Sequence, residues 1–114
     1  MADITTFLET LRTSPESLQF ADVMAVIDAH YDHTPTAFTN GQAINQATEN
    51  QGSAKVFSFA RIHGLSEDET LRCFAEHFRA VQNSPSGSDH QNIRQFMLSG
   101  WNGVELAAGC LNPK

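Results

Sequence analysis

Residues 31–53 read YDHTPTAFTNGQAINQATENQGS, and the fold turns on how this stretch is read. It is polar, rich in Thr, Asn and Gln, and separates two segments of helical periodicity. Pro35 ends any helical continuation into it, because proline lacks an amide hydrogen and clashes with the preceding turn. Asn40-Gly41 has the form that favours a tight turn with positive φ. Two readings of its flanks stay open: a very short β-hairpin, or an ordered loop with only a turn at its tip. The flanks are too short to alternate convincingly.

Upstream, Asp3 is suited to cap a short helix through Arg12, with Ile4, Phe7, Leu8 and Leu11 on one face. Ser14-Pro15 breaks that pattern. From Leu18 to Tyr31, the positions Phe20, Val23, Met24, Ile27 and Tyr31 repeat with helical period, predicting a second helix.

Downstream, Gly52-Ser53 reads as a helix start with Ser53 as cap, and Gly64 as its stop. Val56, Phe57 and Ala60 share a face while Phe59 points elsewhere, so this helix should lie centrally. Ser66 and Glu69 form a capping box opening a helix from Glu67 to about Val81, with Leu71, Phe74, Ala75, Phe78 and Val81 inward. Asp68, Arg72 and Glu76 can pair at i, i+4 on its outer side. Residues 83–87, NSPSG, are a turn. Ser88 or Asp89 then caps a last helix through Leu98, with Ile93, Phe96 and Met97 inward and Gly100 as its end. Trp101, Val104 and Leu106 should return to cover the core, and the tail from Gly109 should fray.

The expected fold is therefore mainly α: a compact bundle of about five helices with a long ordered central loop or a very short hairpin. The 114 residues, 40% hydrophobic and with eight Phe, suffice for a single domain over 1–114 with its own core. A net charge of −6 without a basic cluster argues against nucleic acid as partner. No run nears the roughly 18 apolar residues of a membrane span, and no secretory signal opens the chain, so a cytoplasmic chain that does not bind membrane is expected. Cys73 and Cys110 are expected as reduced thiols.

Few residues carry chemistry on their own spacing. His90 and Arg94 stand i, i+4 at a helix start and can together hold a carboxylate or phosphate. The alternative is that Arg94 pairs with a carboxylate elsewhere and His90 is a surface residue. Five His form no ligand pair, and no HExxH or CxxC occurs, so neither metal nor cofactor is expected. Ser53 and Cys73 lie outside any nucleophile elbow. Asn40, Asn45, Asn50 and Gln51 form an amide cluster that either satisfies the loop backbone or lines a polar pocket for a small ligand or partner peptide.

Tyr31-Asp32, residues 34–41 (TPTAFTNG), Gly52-Ser53, Leu65-Ser66, Thr70-Leu71, residues 89–97 (DHQNIRQFM) and Gly100-Trp101 together resemble the HopJ type III effector family. The resemblance covers nearly the whole chain. It implies a protein linked to type III secretion in bacteria, and it brings no catalytic mechanism with it. Ala54 departs from the family pattern, which places Cys there in many members. The first residues, with Thr5, Thr6, Thr10, Thr13 and Ser14, can serve as a secretion signal on that resemblance.

Two functions follow as expectations. The first is an interaction or ligand-binding module whose partner, a protein or a small ligand, is open, as is its oligomeric state. The second is a small enzyme with a pocket between the central loop and the His90/Arg94 face. The candidate ligand-binding residues are Tyr31, Asp32, Thr34, Asn40, Asn50, Ser53, His90, Asn92 and Arg94.

Overall fold

The structure, a computed structural model, describes residues 3–114. Its helices are α1 (Ile4–Thr13), α2 (Phe20–His30), α3 (Gln51–Ile62), α4 (Glu67–Arg72), α5 (Glu76–Asn83) and α6 (Gln91–Ser99). Its strands are β1 (Tyr31–His33), β2 (Phe38–Asn40), β3 (Ala43–Asn45), β4 (Val104–Leu106) and β5 (Leu111–Pro113). Short 3₁₀ turns occupy Pro15–Ser17 and Gly100–Gly103.

This corrects the expectation of a five-helix bundle with a central loop. The fold is a helix-rich α/β mixture with two small antiparallel sheets, one of order β1-β5 and one of order β3-β2-β4. The hairpin reading of residues 38–45 is the one realised: Gly41 turns at φ 59°, and Phe38, Thr39 and Asn40 pair with Asn45, Ile44 and Ala43. β4 joins β2 on its other side, and β5 pairs with β1 in the register Tyr31–Pro113 to His33–Leu111. The tail expected to fray is thus held, with Cys110 and Leu111 buried. The amide of Thr34 donates to the carbonyl of Cys110 at 2.8 Å, and that of Lys114 to His30 at 3.1 Å.

The helix expected over 67–81 is two helices. Its start is as read: Ser66 Oγ accepts the amide of Glu69, and the Glu69 carboxylate accepts that of Ser66. The Arg72–Asp68 bridge also forms, at 2.9 Å. The chain then breaks at Ala75, which has φ 53° and ψ −122°. Cys73, Phe74 and Ala75 are all buried at this break. Beyond it the Glu76 carboxylate accepts the first amide of α2, that of Phe20, at 2.6 Å.

α3 is central, as its two apolar directions predict. The Phe57 ring meets those of Phe38, Phe74, Phe96 and Trp101 at centroid distances of 5.1–6.2 Å. On the other side Phe59 meets Phe7 and Tyr31 edge-on. Full burial of such a ring contributes about 1.5–3 kcal/mol. Of the residues expected inside, Ile27, Phe57, Phe74 and Phe96 are buried, while Phe20 and Phe78 pack partly buried against them. Met97 was expected inward but lies on the outer side of α6 with Leu98, because Ile93 and Phe96 fill the one stripe that faces the core.

Candidate functional site

Two helices begin in an unusual way. Asn50, just before α3, and His90, just before α6, both have φ 50°, and neither helix has a side-chain cap. These positions correct the expected caps: Ser53 lies inside α3, its amide bonding the Asn50 carbonyl at 3.0 Å, and Asp89 turns to Arg94. A left-handed non-glycine residue costs free energy and persists where surrounding contacts hold it.

Here the contacts are a run of amides. Asn40, fully buried, donates from Nδ2 to the carbonyl of Asn92 at 2.7 Å and to its Oδ1 at 3.2 Å. Asn92 donates to Asn45 Oδ1 at 3.1 Å, and Asn45 returns a bond of 3.2 Å to Asn92 Oδ1. Asn50 then donates to the same Asn45 Oδ1 at 2.7 Å. The hairpin is thereby tied to the starts of both α3 and α6. Asn40 Oδ1 has no partner, the one buried side-chain polar atom so left among the described residues.

Between these helix starts, β3 and the start of α5 lies a cleft of about 470 Å³. Phe20 and Phe74, stacked at 6.2 Å and 10°, supply apolar surface. Asn45, Asn50 and Asn92 supply a polar wall fixed by their own bonds, with Ser53 beside it. His77 and His90 supply the titratable groups, their rings 5.0 Å apart at 36°, with Phe20 edge-on to His77 at 4.9 Å. Gly52 lets α3 begin close against Phe20: a Cβ there would sit 3.2 Å from that ring.

Of the nine candidate residues, Asn50, Ser53, His90 and Asn92 meet in this cleft. Asn40 stands behind the wall and braces it. Arg94 faces the other way, bonding Asp89 Oδ1 at 2.6 Å and the carbonyls of Ser84 and Pro85 at 2.9 and 3.3 Å. Its guanidinium holds the Asp89 carboxyl below the usual carboxylate range. Tyr31, Asp32 and Thr34 belong to the β1–β5 region, where Tyr31 Oη lies 2.9 Å from His63 Nε2. Gln51 is scaffold, donating to the Thr36 carbonyl and accepting its amide.

The sequence reading missed Phe20, Phe74 and His77 as cleft residues. Their helical periodicity marks them only as packed or exposed, and His77 follows Phe74 by three residues, which is the sole local signal of proximity. Among the described residues no group of three or more His, Cys, Asp or Glu side chains is placed to hold a metal, and no helix is long and apolar enough to cross a membrane. Cys73 and Cys110 are free and buried.

The profile of the HopJ type III effector protein family matches residues 4–111. The chain belongs to the HopJ family. A crystal structure described as that of unknown function protein VPA0580 shares 44% sequence identity with this HopJ chain. It matches all of this chain and 95% of that one, with a TM-score of 0.94. A comparison with curated proteins finds no match. Of the HopJ-like segments, Gly52-Ser53 and residues 90–93 line the cleft, residues 31–41 form β1, β2 and their connection, and Leu65-Ser66, Thr70-Leu71 and Gly100-Trp101 lie at α4 and after α6.

Proposed function

We propose that this HopJ protein is a binding module that takes a small ligand into the cleft between α3, α5, α6 and β3. One observation carries the reading: two imidazoles and four polar side chains on separate elements converge beside an aromatic surface, in a space of ligand size. The amide network supports it, since the wall is ordered before anything binds and little side-chain freedom is lost on binding. The enzyme reading lacks its parts, because Arg94 faces away and no carboxylate side chain lines the cleft.

The test is a fragment screen on the full chain by amide chemical shifts. Fragments are expected to move the signals of Gly52, Ser53, Gln91 and Asn92, and Ser53→Trp, which fills the cleft, is expected to abolish those shifts while the rest of the spectrum stays folded. Binding that maps elsewhere, or survives the substitution, overturns the proposal.

Delivery through a type III system is the second part of the proposal, supported by the family. The threonines of the candidate signal lie on α1, where the Thr10 and Thr13 hydroxyls donate to the carbonyls of Thr6 and Glu9. That helix must unwind to thread a secretion channel. A fusion of the first part of the chain to a translocation reporter is expected to enter host cells only when the secretion system is intact; entry in its absence, or none at all, refutes delivery by this route.

A further inference from the structure

We infer that the cleft recognises an oxyanion, a carboxylate or phosphate group carried on a small molecule with a flat apolar part, and that the His77–His90 pair takes up a proton as this group binds. The inference rests on the binding reading above and names its ligand class. The two rings lie side by side in the cleft lining, 5.0 Å apart, one on α5 and one before α6. An anion seated against both rings is held best when they carry positive charge, so binding and protonation favour each other.

The charges around the pair fit this. For a chain of net charge −6, it is notable that neither Asp nor Glu lines the cleft. Glu76, next to His77, is engaged by the Phe20 amide, and Arg79 follows on the same helix with its guanidinium on the Leu18 carbonyl. Asp89, next to His90, is engaged by Arg94 at 2.6 Å and lies 3.8 Å from His90 Nε2. From α3 and β3 only uncharged groups, Asn50, Ser53 and Asn45 among them, face the pair. Phe20 and Phe74 offer the surface on which a flat group would lie.

Benzoate, phenyl phosphate and neutral benzamide separate the possibilities when titrated into the full chain and followed by the cleft amides. Benzoate stays ionised throughout, so any change in its affinity between about pH 5.5 and about pH 8 reports the protein. The expected result is that benzoate binds about tenfold tighter than benzamide at the lower pH and loses that advantage at the higher. Calorimetry in buffers of different ionisation heat should show proton uptake, and H77Q/H90Q should remove both the preference and the uptake while its spectrum stays folded. Phenyl phosphate binding more tightly than benzoate would assign the oxyanion to phosphate, and the reverse to carboxylate. If benzamide moves the cleft amides as well as benzoate does at both pH values, the oxyanion inference fails and the binding module stands. If anion binding ignores pH, the histidine role fails. If no fragment or probe moves the cleft amides, both proposals fall.

Discussion

Glu67, in the first turn of α4, accepts the backbone amide of Trp101 at 2.9 Å, so the beginning of one helix holds the segment that follows another. Gly100, between α6 and that contact, is buried with φ 60° and ψ −153°, a region open in practice only to glycine. A Cβ there would collide with the Glu67 carboxylate. Gly100→Ala is expected to lower stability by about 2–4 kcal/mol through backbone strain and overpacking combined. Urea unfolding checks this, and a loss below about 0.5 kcal/mol would show that the contact yields without cost.

The amide run makes a graded prediction. Asn92→Ala removes the three side-chain bonds that tie Asn40 and Asn45 to α6, leaving Asn40 on the residue 92 carbonyl and Asn45 on Asn50, and should cost about 1–3 kcal/mol. Asn50→Gly removes the outermost link but also relieves the left-handed backbone, and should stay within about 1 kcal/mol of the parent. Thermal or urea unfolding of the two variants should rank them in that order; equal losses would mean that the run does not stabilise the hairpin from within.

His63 gives a pH dependence with a definite sign. Burial holds its imidazole below the ordinary value of 6.5 and holds the Tyr31 hydroxyl above its ordinary 10.0, consistent with a neutral pair in which Tyr31 donates to His63 Nε2. Because the unfolded histidine binds a proton more readily, this contribution is complete above 6.5 and is lost as pH falls from there towards the lower folded value. Tyr31 contributes in the opposite sense, losing stability as pH rises through 10.0. The urea midpoint of the protein should therefore fall between about pH 7 and about pH 5, and His63→Gln should flatten that fall. An unchanged slope would assign it to other groups.

Burial pushes the Cys73 thiol up to about 12, helped by the nearby Glu69 charge. Such a thiol is almost wholly protonated near neutral pH and inert. Alkylation of the native chain should leave Cys73 unmodified on a timescale that labels it fully in denaturant, as peptide mass mapping would show. Rapid native labelling would reveal a frequent local opening at the α4–α5 break.

Local chemistry was legible in the sequence where it acts over one turn. The Ser66–Glu69 capping box, the Asp3 cap, the Gly64 and Gly100 stops and the two-sided α3 all appear where residue spacing places them. What spacing could not carry is partnership across the chain. The three-residue strands have no period to detect, and β1 finds its partner 80 residues away in β5. Asn50 and His90 at left-handed helix starts have no spacing signature either, since the ordinary cap residues Ser53 and Asp89 lie within a few positions of them. For the site, the amides and His90 stood out as polar residues without a packing role, whereas Phe20, Phe74 and His77 looked like ordinary helix positions until α2 and α5 were brought together.

The pairing of residues 31–33 with 111–113 also sets an order of events. Tyr31 cannot complete its sheet until residue 113 has emerged from the ribosome, and the short helices and hairpin made before then are marginal until they pack on one another. That pairing joins segments whose loop spans most of the chain, so its closure carries a large loop entropy cost.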